Sequence, residues 1–250
     1  MPHSKRTLSR RLGLKLGALM LCVSGCGFAE EPQREERPEA AQERAALAVK
    51  KVMPLGDSIT QGASGRASYR CALWQKIQAG GSSADFVGSL TGGHGGANSC
   101  GVSGFDVQHE GHWGWRADQI LAQISTWAAN TRPDIALIHL GSNDMFQGNT
   151  VDSTIQELSQ IIDRLRAANP NIQIFLAQLI PATNSSALQG FNQRIPGLAS
   201  SKSTAASPVT VVDQWTGFNA QTDTYDGIHP NPAGEAKMAE RWYQAIRSSL

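Results

Sequence analysis

The sequence predicts an α/β fold: a flavodoxin-like three-layer α/β/α sandwich around a five-stranded parallel sheet. Two observations predict it. Ile135–Leu140 and Ile172–Leu179 are strand-length runs that are almost continuously apolar, not alternating. Strands of that kind are buried on both faces, as in parallel sheets covered by helices. Between such runs lie stretches of helical period, clearest at Val151, Ile155, Leu158, Ile162 and Leu165. Strand and helix signals therefore alternate along the chain.

The elements follow in order. Lys51–Leu55 is a short apolar strand ending at Gly56. Ser68 is placed to cap a helix with Tyr69, Leu73, Trp74 and Ile77 on one face and Gly80 at its end. Asp85–Ser89 is a second strand. The Gly-rich stretch from Gly92 to Gly114 is long enough to be a functional loop. Arg116–Ala129 has helical spacing at Ile120, Ile124 and Trp127. Ile135–Leu140 is the third strand. The helix through Val151–Leu165 is stopped by Asn169-Pro170. Ile172–Leu179 is the fourth strand, and Ser185–Ser200 is a weaker helix disturbed by Pro196-Gly197. Val209–Val212 is the last strand. Asn231 caps a final helix with Pro232 at its first position and Met238, Trp242 and Ile246 inward. Five such strands suggest the order 2-1-3-4-5, in which ligands bind beyond the carboxyl ends of the strands.

Ahead of this domain, residues 1–25 read as a signal peptide. Lys5, Arg6, Arg10, Arg11 and Lys15 precede a short apolar run, Leu16 to Val23, too short to span a bilayer. Val23-Ser24-Gly25-Cys26 resembles a bacterial lipobox, with Cys26 as the lipidated residue; the alternative is ordinary secretion with cleavage nearby. Ser9 to Lys15 also resembles a twin-arginine export motif, with Gly13 where an apolar residue is usual. Residues 26–50 then form a polar, mixed-sign, Pro-broken tether. The catalytic domain is residues 51–250. The expected location is the cell envelope, as a lipoprotein, or the medium.

The formal net charge is +1, and without the five leader cations the acids exceed the bases, so nucleic acid is not an expected partner. The two cysteines of the body, Cys71 and Cys100, suggest one disulfide in an exported protein; the alternative is two buried thiols.

Four short pieces carry chemistry. Gly56-Asp57-Ser58 follows the first strand. A turn there exposes the serine hydroxyl, which is a poor nucleophile unless a base takes its proton. Asp226-Gly227-Ile228-His229 follows the fifth strand. Asp226 can accept from one ring nitrogen of His229 while the other faces a serine. Asn143, after the third strand, can donate to a developing oxyanion, and Gly114, after the second, lets a backbone N–H approach it closely. Each piece also has a plain reading: ordinary turns at Gly56–Ser58 and Gly114, and caps at Asp226 and Asn143–Asp144. Their joint placement after strands one, two, three and five favours the chemical one.

With these pieces in place, the chain resembles the GDSL/SGNH hydrolases, named for the Ser, Gly, Asn and His of four sequence blocks. Those residues match Ser58, Gly114, Asn143 and His229, and Asp226 matches the family's triad carboxylate. The resemblance covers about residues 51–250. Longer strings are similar to carbohydrate esterase family three: Val52 to Thr60, Leu73-Trp74, Asp85 to Ser89, His109 to His112, and Thr222 to Pro230. The resemblance implies the SGNH hydrolase fold and a serine esterase that removes small acyl groups, usually acetyl, from polysaccharide. It implies Ser58 as nucleophile, His229 as base and Asp226 as orienter. The oxyanion hole would be the Ser58 and Gly114 N–H groups with the Asn143 side chain. The implied partners are an acetylated carbohydrate and, through Cys26, a membrane.

No cofactor is expected. His109 and His112 are three apart, not at the His-Glu-x-x-His spacing, so no metal is assigned. Asp57 and Asp144 are expected to support their catalytic neighbours. Arg70 and Arg116 read as salt-bridged surface groups. Trp113 and Trp115 suit either sugar stacking or ordinary packing. Two other readings remain: a lysophospholipase or thioesterase of the same fold, and a non-enzymatic carbohydrate-binding lipoprotein. The sequence is silent on oligomeric state.

Overall fold

A computed structural model describes residues 49–183 and 186–250. Cys26, the leader and the tether lie outside the described residues. The sheet has the expected strands. They are β1 (Lys50–Gly56), β2 (Ala84–Phe86), β6 (Ile135–His139), β7 (Gln173–Gln178) and β8 (Val209–Asp213), in the order β2-β1-β6-β7-β8. All of these pairings are parallel. This is the 2-1-3-4-5 order of the sequence reading.

The alternation of side chains along each strand divides the core in two. Met53 and Leu55, Ala136 and Ile138, and Ile174 and Leu176 face one layer. Val52, Ile135, Leu137, Phe175 and Ala177 face the other. The first layer is closed by α3 (Ala117–Thr131), α5 (Val151–Ala168) and α6 (Ala187–Lys202). The second is closed by α2 (Ser68–Ala79) and α8 (Pro232–Ile246). Covering both faces is why the strands read as continuous apolar runs.

Five details differ from the sequence reading. The second strand stops at Phe86, because β2 pairs only with the first three residues of β1. Further along the same edge, a two-residue strand β5 (Glu110–Gly111) pairs with Leu55–Gly56 and makes the sheet six-stranded. Between them the Gly-rich segment folds a small hairpin, β3 (Gly92–Gly93) with β4 (Gly96–Ala97). Ser68 does not cap α2: the residue before that helix is Ala67, and the Ser68 hydroxyl donates to the Thr60 carbonyl at 2.8 Å. Helix α6 runs through Pro196. A proline lacks the N–H that would bond the carbonyl four residues back. That carbonyl, of Asn192, is met instead by the Gln178 side-chain amide at 3.1 Å.

Candidate active site

β1 ends at Gly56, where the chain turns into the short helix α1 (Ser58–Gln61). A Cβ on Gly56 would lie 2.3 Å from the His139 carbonyl oxygen, so only glycine lets β1 pass β6 at this level. Asp57 caps α1, its Oδ1 accepting from the Ile59 N–H at 3.0 Å. Ser58 is the first residue of that helix and is 6% exposed.

His229 arrives from a loop on the opposite side of the rim. The loop is closed by the Tyr225 N–H donating to the His229 carbonyl at 3.0 Å and by a bridge between Thr224 and Pro230. The imidazole Nε2 lies 2.9 Å from Ser58 Oγ. Its Nδ1 lies 2.7 Å from Asp226 Oδ2. Nδ1–H donates to the carboxylate, which leaves Nε2 as acceptor for the serine hydroxyl; this tautomer follows from the partners. Asp226 is further fixed by the His229 and Ile228 N–H groups, both on Oδ1, at 2.7 and 3.0 Å. Partial burial works to raise the Asp226 carboxyl pKa, but these N–H donors and the imidazole hold it below the usual aspartate value. Three residues from two distant segments thus form one hydrogen-bonded line.

Gly114 lies on the segment after β5, and Asn143 on α4 (Ser142–Phe146). The amides around Gly114 are engaged one after another. Gly111 N–H donates to His109 Nδ1, His112 N–H to Gly56 O, Trp113 N–H to Gln61 Oε1 and Trp115 N–H to His112 O. Arg116 N–H donates to Gln119 Oε1, and Ala117 N–H to the Asp144 carboxylate. Among the described residues, the Gly114 N–H alone in this run has no acceptor. It belongs to a residue at φ +77°, which favours glycine. The Ser58 N–H, at the start of its helix, likewise has no acceptor among the described residues. Asn143 donates one hydrogen of its amide to the Trp115 carbonyl at 3.0 Å, which aligns that side chain with the same turn.

The supporting shell holds residues the sequence reading missed or misjudged. Arg70 is not a salt-bridged surface group. It is fully buried, and its guanidinium donates to the Thr60, Gln61 and Val107 carbonyls and to Asn98 Oδ1. It ties the turn after Ser58 to the Gly-rich segment. Burial lowers its pKa to about 10. Its place at i, i+3, i+4, i+7 with Leu73, Trp74 and Ile77 was a signal of burial. Arg116 is ion-paired with Asp118, as expected. Glu110 is buried. Its carboxylate accepts from the Ser89 N–H and hydroxyl and faces His112 Nε2 at 2.7 Å. His109 Nε2 lies on the Gly92 carbonyl. Burial first, then the Arg70 charge, lower the His109 pKa to about 3 and keep it neutral. Asp144 accepts from the Ala117 N–H with both oxygens.

Cys71 and Cys100 form a disulfide. Trp115 stacks on His112 and packs against the first core layer with Trp127. Trp113 stacks on two imidazoles, those of His94 and His229.

A model described as the GDSL-like lipase/acylhydrolase family matches residues 55–237. A "multidomain esterase" of Ruminococcus flavefaciens is 30% identical over 237 residues, covering 85% of this chain and 30% of that protein. The chain spans between 30% and 64% of the length of the curated relatives it matches. A carbohydrate esterase family 3 structure from Talaromyces cellulolyticus is 34% identical, with a TM-score of 0.73, covering 81% of this chain and 98% of that one. An acetyl esterase variant solved with an acetate ion is also 34% identical, with a TM-score of 0.72, covering 81% of this chain and all of that one.

Proposed function

The chain belongs to the GDSL-like lipase/acylhydrolase family, and from that premise we propose that it is a serine esterase removing acetyl groups from a polysaccharide or its fragments. The observation that carries the reading is the unbroken line from Ser58 Oγ to His229 Nε2 and from His229 Nδ1 to Asp226. A hydroxyl beside an imidazole whose far nitrogen rests on a carboxylate is equipped for acyl transfer.

In this mechanism Ser58 Oγ attacks the ester carbonyl as His229 Nε2 takes its proton. Asp226 stabilises the imidazolium that forms. The unpaired Ser58 and Gly114 N–H groups, with the Asn143 amide, receive the oxyanion; one such donor is worth about 3 kcal/mol of barrier. His229 returns the proton to the departing sugar oxygen. It then takes a proton from the water that attacks the acyl-enzyme and passes it to Ser58 Oγ as the acyl C–O bond breaks, releasing acetic acid, which ionises to acetate.

The lining supports a short acyl group. The small cleft bordered by Ser58 and His229 is walled by Gly62, Arg66, Tyr225 and Glu235. A long alkyl chain would have to lie against the charged Arg66 and Glu235 side chains. The acetyl esterase and carbohydrate esterase relatives point the same way. We further propose that the protein is exported and anchored through Cys26. The Cys71–Cys100 disulfide supports an oxidising location.

The deciding experiment compares wild type with Ser58→Ala. Wild type should release acetate from acetylated xylan and hydrolyse 4-nitrophenyl acetate faster than longer 4-nitrophenyl esters. Ser58→Ala should fold, lose both activities and lose labelling by a fluorophosphonate. A Ser58→Ala protein that still hydrolyses acetate esters would remove the nucleophile, and a wild type preferring long chains would replace the acetyl reading with a lipase-like one.

A further inference from the structure

The sequence leaves Trp113 between two roles, a platform for sugar and a packing residue, and its surroundings decide against the platform. The indole stacks on His229 with ring centroids 4.6 Å apart and planes 16° apart. It stacks on His94 equally closely, at 4.6 Å and 18°. Two imidazoles therefore occupy the ring surface a pyranose would need.

The Trp113 backbone and its stacking partner His94 are both tied to the turn that carries Ser58. The Trp113 N–H donates to the side-chain oxygen of Gln61, the last residue of α1, at 2.8 Å. The His94 N–H donates to the Gly62 carbonyl at 2.8 Å, and His94 bridges Ala63. On the base side, Tyr225 also stacks on His229, at 5.7 Å and 16°, with the Arg66 guanidinium 4.5 Å above the tyrosine ring. His229 thus sits in a column of flat groups whose footing is the segment that carries Ser58.

We propose that Trp113 is a positioning residue for the esterase reaction: its indole sets the plane of the His229 ring so that Nε2 stays on Ser58 Oγ. The carboxylate of Asp226 fixes one end of the ring but leaves rotation about the Nδ1–carboxylate line to be restrained, and a flat neighbour restrains that rotation. The proposal rests on Ser58 and His229 being nucleophile and base.

The test uses the full chain with Trp113→Leu, which keeps bulk but has no flat face, and Trp113→Phe, which restores one. On 4-nitrophenyl acetate and on acetylated xylobiose alike, Trp113→Leu should lower kcat by about 100-fold, the scale of a misplaced catalytic group. KM should stay near wild type, and Trp113→Phe should recover most of the rate. The His229 ring protons, shifted in NMR by the indole ring current, should move toward ordinary positions in Trp113→Leu. That signal reads the seating of the ring even if wild type proves inactive on acetate esters, an outcome that would sink the function but not the contact. A raised KM on the xylobiose ester alone, with kcat unchanged on 4-nitrophenyl acetate, would overturn positioning in favour of a sugar platform. If Trp113→Leu does not fold, His94→Ala, which uncovers the indole, is read the same way: lower kcat on both esters supports the assignment, and unchanged kcat overturns it.

Discussion

Asp57 shows how one residue can serve geometry against its own electrostatics. It caps the nucleophile's helix through Oδ1, while Oδ2 has no partner among the described residues. Burial, with the Asp144 charge adding to it, raises its pKa from 3.8 to about 7. The sign follows directly. As pH climbs from about 4 to about 7, the unfolded chain ionises this aspartate and the native chain resists, so the native state loses stability relative to its acidic form. Buried His109 and His139, with lowered pKa values, act in the opposite direction over an overlapping range. The comparison with Asp57→Asn cancels them. The difference in melting temperature, wild type minus Asp57→Asn, should fall between pH 4 and 7 and flatten above it. A difference constant across that range would remove the buried-carboxyl account. Asp226 is separate, since its lowered pKa places its contribution at more acidic pH.

The Gly-rich segment between β2 and α3 is the element on which the site depends most. It carries Gly114 and Trp113, yet it has little secondary structure of its own. Its order comes from cross-ties: the β5 pairing with β1, the two Arg70 hydrogen bonds to Val107 and Asn98, the Glu110 contacts to Ser89 and His112, and the disulfide. The disulfide closes a loop of sequence separation 29. Removing it by Cys71→Ser with Cys100→Ser should lower unfolding stability by about 3 kcal/mol, the loop-closure scale, measured by denaturant titration. An unchanged midpoint would overturn the loop-closure account of this disulfide. The helix α6 teaches a related point. Pro196 reads as a breaker, but Gln178 at the end of the neighbouring strand supplies the missing donor.

At the scale of the molecule, the described residues form one layered body with its reactive groups gathered at the carboxyl ends of the strands. No helix among them is long and apolar enough to cross a membrane. The proposed anchor is the thiol of Cys26. Lipid labelling in a bacterial host should therefore depend on that thiol. Radiolabelled palmitate should enter the wild-type chain and be absent from Cys26→Ala, which should appear in the soluble fraction with its esterase activity intact. Labelling that survives Cys26→Ala would place the anchor elsewhere or replace lipidation with simple secretion.

Much of this was legible before folding. Parallel strands buried on both sides must be apolar throughout, and amphipathic helices between them must show a 3.6-residue period, so the layers and the strand order could be read from pattern alone. Ser58, His229 and Asp226 stood out because reactive residue types followed strands, where such sheets bind ligands. Tertiary structure alone decided which groups meet. Nothing in the spacing of His94, Trp113 and Tyr225 announces a common column with His229, and although helical spacing marks Arg70 as buried, nothing local names the distant Val107 carbonyl and Asn98 side chain that it bonds. Periodicity records which face of an element is covered; it carries no record of what a loop touches, because those contacts join residues far apart in the chain and are fixed only when the sheet brings their anchors together.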